Sequence, residues 1–119
     1  MHTNNTNKME MKTEVLKNSY AIRLSVSEKG KEVGHAYVYV FTNSLHKEPC
    51  GFLEDVFVEE ARRGSGIGTK LINQAIEEAK KVGCYKLIGT SRNSRPEVHR
   101  FYERIGFKKW GIEFRMDFK

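Results

Sequence analysis

Hydrophobic residues change their spacing several times along the chain, and each change marks an element. Tyr20 to Val26 alternates apolar and polar, which predicts a strand with one wet face. Glu28-Lys29-Gly30-Lys31 is a charged turn in which Gly30 is free to take a positive φ. Val33 to Thr42 (VGHAYVYVFT) is apolar at both parities, predicting a central strand covered on each face, so the pair forms a hairpin. Asn43 to Cys50 is a polar loop containing Pro49, and Phe52 to Val58 is the next strand. From Gly66 the period becomes helical: Ile67, Leu71, Ile72, Ala75, Ile76, Ala79 and Val82 form one apolar stripe, with Gly83 placed as a C-terminal cap. Tyr85 to Thr90 is a short strand, parallel to the previous one because a helix connects them. After the basic loop Ser91–Arg95, Pro96 opens a second helix with the inner face Val98, Phe101, Tyr102 and Ile105, stopped by Gly106. Phe107 to Phe118 alternates again and is expected to close the sheet. Near the start, Met9 and Met11 alternate with charged neighbours, suggesting a short edge strand over residues 8–12. The Asn/Thr-rich residues 1–7 read as a disordered tail ahead of a single domain over 8–119.

The junction between the third strand and the first helix carries the candidate chemistry. Val56 and Val58 lie on one face of the strand and Phe57 on the other. Gly64, Gly66 and Gly68 then stand at alternate positions, where the lack of Cβ lets a ligand lie against the backbone. The N–H groups of a helix start have no helical partner, and the dipole adds about half a positive charge, so a phosphate suits the place. Two familiar phosphate loops do not match. A P-loop requires Gly-Lys-Ser/Thr, whereas Thr69-Lys70 follows Gly68 here, and a dinucleotide fingerprint is G-x-G-x-x-G, whereas Gly64 to Gly68 is G-x-G-x-G. Glycine-rich strand-to-helix turns also occur with nothing bound.

Arg63, Gly66 and Gly68 fill the pattern (Arg/Gln)-x-x-Gly-x-(Gly/Ala) and resemble the acyl-CoA motif of the GNAT superfamily of N-acetyltransferases. A second stretch, His99-Arg100-Phe101-Tyr102-Glu103-Arg104-Ile105-Gly106-Phe107, looks like that family's closing helix, where a Tyr four residues before Gly-Phe faces the thioester. The segment Leu53 to Leu71, with Gly83 to Lys86, is locally similar to glucosamine-6-phosphate N-acetyltransferases, although the chain is shorter. The resemblance implies an α/β (α+β) fold: a mixed, mostly antiparallel twisted sheet flanked by helices. The one or two helices that family members carry between their first two strands are missing, since residues 12–20 leave no room for them. The acceptor side is therefore expected to be open, or completed by another subunit as in a homodimer.

The resemblance also implies an acetyl-CoA-dependent N-acetyltransferase that moves acetyl directly to a primary amine: a peptide N-terminus, a Lys or a small amine. The backbone N–H groups of Gly64, Ser65, Gly66, Ile67, Gly68 and Thr69 are then expected to hold the pyrophosphate of acetyl-CoA. Arg62 and Arg63 stand beside it, and Val56, Phe57 and Val58 pair with the pantetheine amides through an open strand edge. Tyr102 is the expected general acid, because a phenol with a pKa near ~10 is protonated at neutral pH and can donate to a departing thiolate. Its alternative is a buried aromatic of the helix stripe. Glu54 leads as the base; His99 and His35 are alternatives, and Asp55, expected on the other face, is read as structural. Where many family members have Asn seven residues before the Tyr, this chain has Arg95, with Asn93 two earlier.

Composition narrows the field less. Lys and Arg outnumber Asp and Glu by 21 to 15, for a net charge of +6, which suits either nucleic acid or a cofactor with several phosphates. The aromatics fall mostly on core-facing stripes, which argues against an RNA-binding module with exposed stacking rings. A catalytically silent acyl-CoA sensor is the other alternative. Cys50 and Cys84 and four scattered histidines follow no metal-ligand spacing, so no metal is expected. Cys84 reads as buried and inert. Neither a membrane-spanning run nor a secretory h-region is present in the sequence, so no membrane partner and a cytoplasmic setting are expected.

Overall fold

A computed structural model describes residues 8–119; the tail expected over 1–7 lies outside the described residues. Four strands, two helices and a single 3₁₀ turn follow in the order β1 (Tyr20–Glu28), β2 (Lys31–Phe41), β3 (Cys50–Val58), the turn Glu60–Arg62, α1 (Ile67–Lys81), β4 (Lys86–Gly89) and α2 (Pro96–Ile105). The sheet order is β1-β2-β3-β4, with the first two pairings antiparallel and β3–β4 parallel. The fold is thus mixed α/β (α+β), as expected. No helix precedes β1 among the described residues.

The hairpin β1–β2 turns on Lys29 and Gly30, both at positive φ (51° and 79°), the backbone of a tight type I′ connection. Leu24 points inward from β1, and Gly34, Ala36, Val38 and Val40 point inward from β2. Against that face packs α1, whose Leu71, Ile72 and Ala75 are buried. The approach is close at Gly34. A Cβ there would stand 3.1 Å from Ile67 Cγ2 and 3.2 Å from Leu71 Cδ1, so only glycine admits the helix at this depth. Burying an Ile or Leu contributes roughly 1.5–3 kcal/mol, so the stripe supplies most of what holds α1 to the sheet. The helix ends as expected on Gly83 (φ 84°), whose N–H bonds the Lys80 carbonyl while the Cys84 N–H bonds that of Ala79. This is the Schellman arrangement.

Three expectations are corrected. The second strand was expected to be covered on both faces, but the face of His35, Tyr37 and Tyr39 has no helix on it among the described residues. Its rings instead stack on one another and on Phe57: Tyr37–Tyr39 at 5.9 Å and His35–Phe57 at 5.4 Å between centroids. Ring-on-ring packing satisfies an apolar pattern without a covering layer, which composition alone does not distinguish. No strand forms over 8–12; Met9 and Met11 are exposed. Nor does 107–118 close the sheet. The segment carries a strand pattern but no strand, and its apolar side chains from Trp110 to Phe118 stand in solvent, because their pattern needs a neighbouring strand that this chain does not supply.

No helix of the described residues is long and apolar enough to cross a membrane. No group of three or more His, Cys, Asp or Glu gathers as for a metal among them.

Candidate active site

The strands β3 and β4 pair only over Cys50–Leu53 and Lys86–Gly89. From Glu54 to Val58, β3 keeps its ladder with β2 through Tyr37↔Glu54, His35↔Phe57 and Gly34↔Val58, while its other edge has no strand beside it among the described residues. Such an edge presents alternating N–H and C=O groups to any extended amide-bearing ligand. Val56 and Val58 pack on the core and Phe57 faces out, half exposed, as the period-two reading required.

The 3₁₀ turn and the glycines follow directly. Gly64 and Gly66 take φ of 85° and 88°, a left-handed backbone that disfavours any side chain. Gly66 is the N-cap of α1 and has no side-chain hydrogen bond to offer, so the first turn of the helix lacks an internal cap. Gly68 faces the strand and the second helix, with a Cβ position 3.9 Å from Val58 Cγ2 and 3.8 Å from Phe101 Cζ. The free edge, the uncapped helix start and α2 therefore border one cleft. The two arginines are tethered: Arg62 pairs with Glu28, and Arg63 Nε donates to the Val58 carbonyl at 3.2 Å. Ser65 Oγ donates to the Arg62 carbonyl, which fixes the turn. Thr69 follows on the exposed side of the first helical turn.

Tyr102 reaches this cleft from α2. Its ring lies edge-on to Phe107 at 5.2 Å, and its Cζ is 3.7 Å from where a Cβ of Gly89 would be. The phenol sits above its ordinary pKa, first because burial disfavours the phenolate and second because Glu54 adds a negative charge nearby. Glu54 is exposed at the start of the free edge. A protonated donor and a carboxylate that senses it thus share one site.

The structure separates the remaining candidates. The register shifts between His35 and Tyr37, so Asp55 bulges out at φ 51° and its Oδ2 lies 3.2 Å from His35 Nε2. The expectation that Asp55 points to the opposite face is corrected: the bulge brings it to the His35 side with Glu54. His35 is further engaged by Glu32 at 3.4 Å. His99 Nε2 lies 2.8 Å from the Arg92 carbonyl, so that nitrogen must carry a proton and donate it. Arg95 lies beside Glu97, 3.4 Å away, at the entrance of α2. Cys84 is half buried with its thiol pKa raised, first by burial and then by Cys50, in keeping with an inert residue. Sequence reasoning missed Phe52, Trp110 and Ile112, which line a groove of about 820 Å³ together with Tyr102. The alternation at 110–118 was the available signal, but which surface it would line could not be read from it.

The sequence profile of the Acetyltransferase (GNAT) family matches residues 4–107. The chain belongs to this family. Among curated relatives, a probable glucosamine 6-phosphate N-acetyltransferase 2 of Oryza sativa subsp. japonica is 37% identical over 68 residues, covering 57% of this chain and 39% of that protein. An aminoglycoside N(6')-acetyltransferase type 1 of Stenotrophomonas maltophilia is 30% identical over 101 residues, covering 81% and 66%. This chain thus spans about two fifths of the length of the rice relative. Among solved structures, glucosamine-6-phosphate N-acetyltransferase from Arabidopsis thaliana superposes with a TM-score of 0.76 at 25% identity, over 83% of this chain and 67% of that one.

Proposed function

We propose that this protein is an N-acetyltransferase that moves acetyl from acetyl-CoA to a primary amine by direct transfer. The observation that carries the reading is the free β3 edge over Glu54–Val58, bordered by the uncapped start of α1 and by Tyr102. These residues fit acetyl-CoA: the edge suits the pantetheine amides, and the backbone of Gly64 to Thr69 suits the pyrophosphate, with no side chain in the way at Gly64 or Gly66. When bound, acetyl-CoA supplies an acyl carbon activated as a thioester.

The chain's own part is proton traffic. At neutral pH an amine with a pKa near ~10.4 is mostly ammonium, and freeing its lone pair costs about 4–5 kcal/mol. Glu54, or a water it orders, takes that proton. The C–N bond forms, the C–S bond breaks, and the Tyr102 hydroxyl delivers its proton to the departing sulfur. The carboxylates of Glu54 and Asp55 on the uncovered face favour an acceptor that carries positive charge. The two named relatives act on an amino sugar phosphate and on aminoglycosides, both through amines, and the acceptor here is read only as far as a primary amine.

The test is an acetyl-CoA turnover screen across peptides, polyamines and amino sugars, read as thiol release. Acceptor-dependent release is expected. Binding of acetyl-CoA with no turnover on any amine would leave a silent acyl-CoA sensor instead.

A further inference from the structure

Beyond Phe107, where the family match ends, the chain keeps a regular pattern with nothing to satisfy it. Trp110, Ile112, Phe114, Met116 and Phe118 alternate with Gly111, Glu113, Arg115 and Asp117. All five apolar side chains are between 76% and 92% exposed. The segment is nonetheless locally extended: Arg115 Nε meets Asp117 Oδ1 at 2.7 Å, a contact between alternate residues on the polar side. It is a strand in pattern and shape that lacks a sheet.

A sheet edge lies close by. In the order β1-β2-β3-β4, β4 has β3 on one side and no strand on the other. Between β4 and the extended segment runs the groove of about 820 Å³, lined by the apolar Phe52, Leu87, Tyr102, Phe107, Trp110 and Ile112. The segment's own first half is one wall of this space, so it does not at the same time fill it.

We propose that Trp110–Phe118 of one copy of this chain lies in the groove of a second copy, as an added strand along β4, in reciprocal exchange. Each molecule has one such strand to give and one groove to receive it, so the exchange closes as a two-fold dimer with neither left over. Aromatic side chains bury roughly 150–250 Å² each. Five large apolar residues from each of two copies therefore reach the order of 1,600 Å² that stable interfaces bury. The exchange places the partner's strand beside Tyr102, so the acceptor wall of each site is completed by the other copy. The proposal stands apart from the acetyltransferase reading, because it is tested by mass and cross-linking rather than by turnover.

Sedimentation velocity is expected to give twice the mass of one chain. The double variant Ile112→Asp/Phe114→Asp should sediment as a monomer with unchanged far-ultraviolet circular dichroism, whereas the polar-face variant Glu113→Gln stays dimeric. A second measurement does not depend on those variants folding: chains carrying Glu113→Cys are mixed with chains carrying Ser91→Cys under mild oxidation. A disulfide-linked pair joining the two kinds of chain is expected. The proposal is overturned by a monomeric natural chain, which would mean that the segment closes on its own sheet. It is equally overturned by a folded double variant that remains dimeric, or by mixed chains that fail to cross-link.

Discussion

Leu53 and Gly89 are the last residues to pair across β3 and β4, and the cleft begins where their ladder stops. The same two residues seat Tyr102: a Cβ on Gly89 would lie 3.8 Å from Leu53 Cδ2 and 3.7 Å from Tyr102 Cζ. These are ordinary contact distances, so Gly89→Ala should fold and turn over nearly as the natural protein does. Gly89→Leu, by contrast, extends branched carbons into the tyrosine ring. A displacement of about 1 Å at a reacting group costs on the order of a hundredfold in rate, so kcat should fall by that much. Steady-state kinetics of the two variants checks this; a fully active Leu variant would show that Tyr102 needs no fixed seat.

Gly66 combines a left-handed backbone with open space around its Cβ position. Gly66→Ala should therefore lose roughly 1–2 kcal/mol of stability through backbone strain and little affinity for acetyl-CoA. Gly66→Glu carries the same strain and adds a negative charge at the helix start, where an anion is to bind. Calorimetry should find acetyl-CoA binding collapsed in the Glu variant alone. Equal affinity in both would move the pyrophosphate away from this loop.

For Glu54, substitution by Gln keeps size and shape and removes the carboxylate. General-base assistance is typically worth 10²–10⁴-fold, so kcat should fall within about that range. A structural role is distinguished by the phenol: Glu54 is the second cause of the raised Tyr102 pKa, so the Tyr102 titration should move down in Glu54→Gln. If kcat holds and the titration does not move, Glu54 acts on neither proton.

What could be read from the sequence was mostly what one strand or helix decides for itself. The α1 stripe, the Gly83 cap, the one-sided β1 and the parity of Val56, Phe57 and Val58 follow from local spacing, and the structure has all of them. Asp55 was misplaced because a bulge is a property of two strands, and no pattern in β3 alone announces an extra residue opposite β2. His35, Tyr37 and Tyr39 suggested a second covering layer, since rings packed on rings and rings packed under a helix give the same composition. The alternation from Trp110 to Phe118 was visible, but a strand pattern does not say which sheet, or which copy, it belongs to.

Tyr102 links the geometry to a pH dependence. Burial first, and the Glu54 charge second, raise its pKa above the ordinary 10.0. The neutral phenol is thus favoured in the folded protein more than in the unfolded chain. Its contribution to stability is whole below pH 10 and is lost as the pH rises through the higher folded value. The proton donor stays loaded across the neutral and mildly alkaline range. Replacing Tyr102 with Phe keeps the ring against Phe107 and removes only the hydroxyl, so the fold should stand and kcat should fall by about 10²–10⁴-fold with acetyl-CoA affinity nearly unchanged. Subtracting the ultraviolet titration of the Phe variant from that of the natural protein isolates this one phenol, and its midpoint should lie above pH 10. A midpoint at or below that value would place the hydroxyl in water, away from the cleft. An undiminished kcat, with chemistry limiting the rate, would reduce Tyr102 to a packing residue of α2.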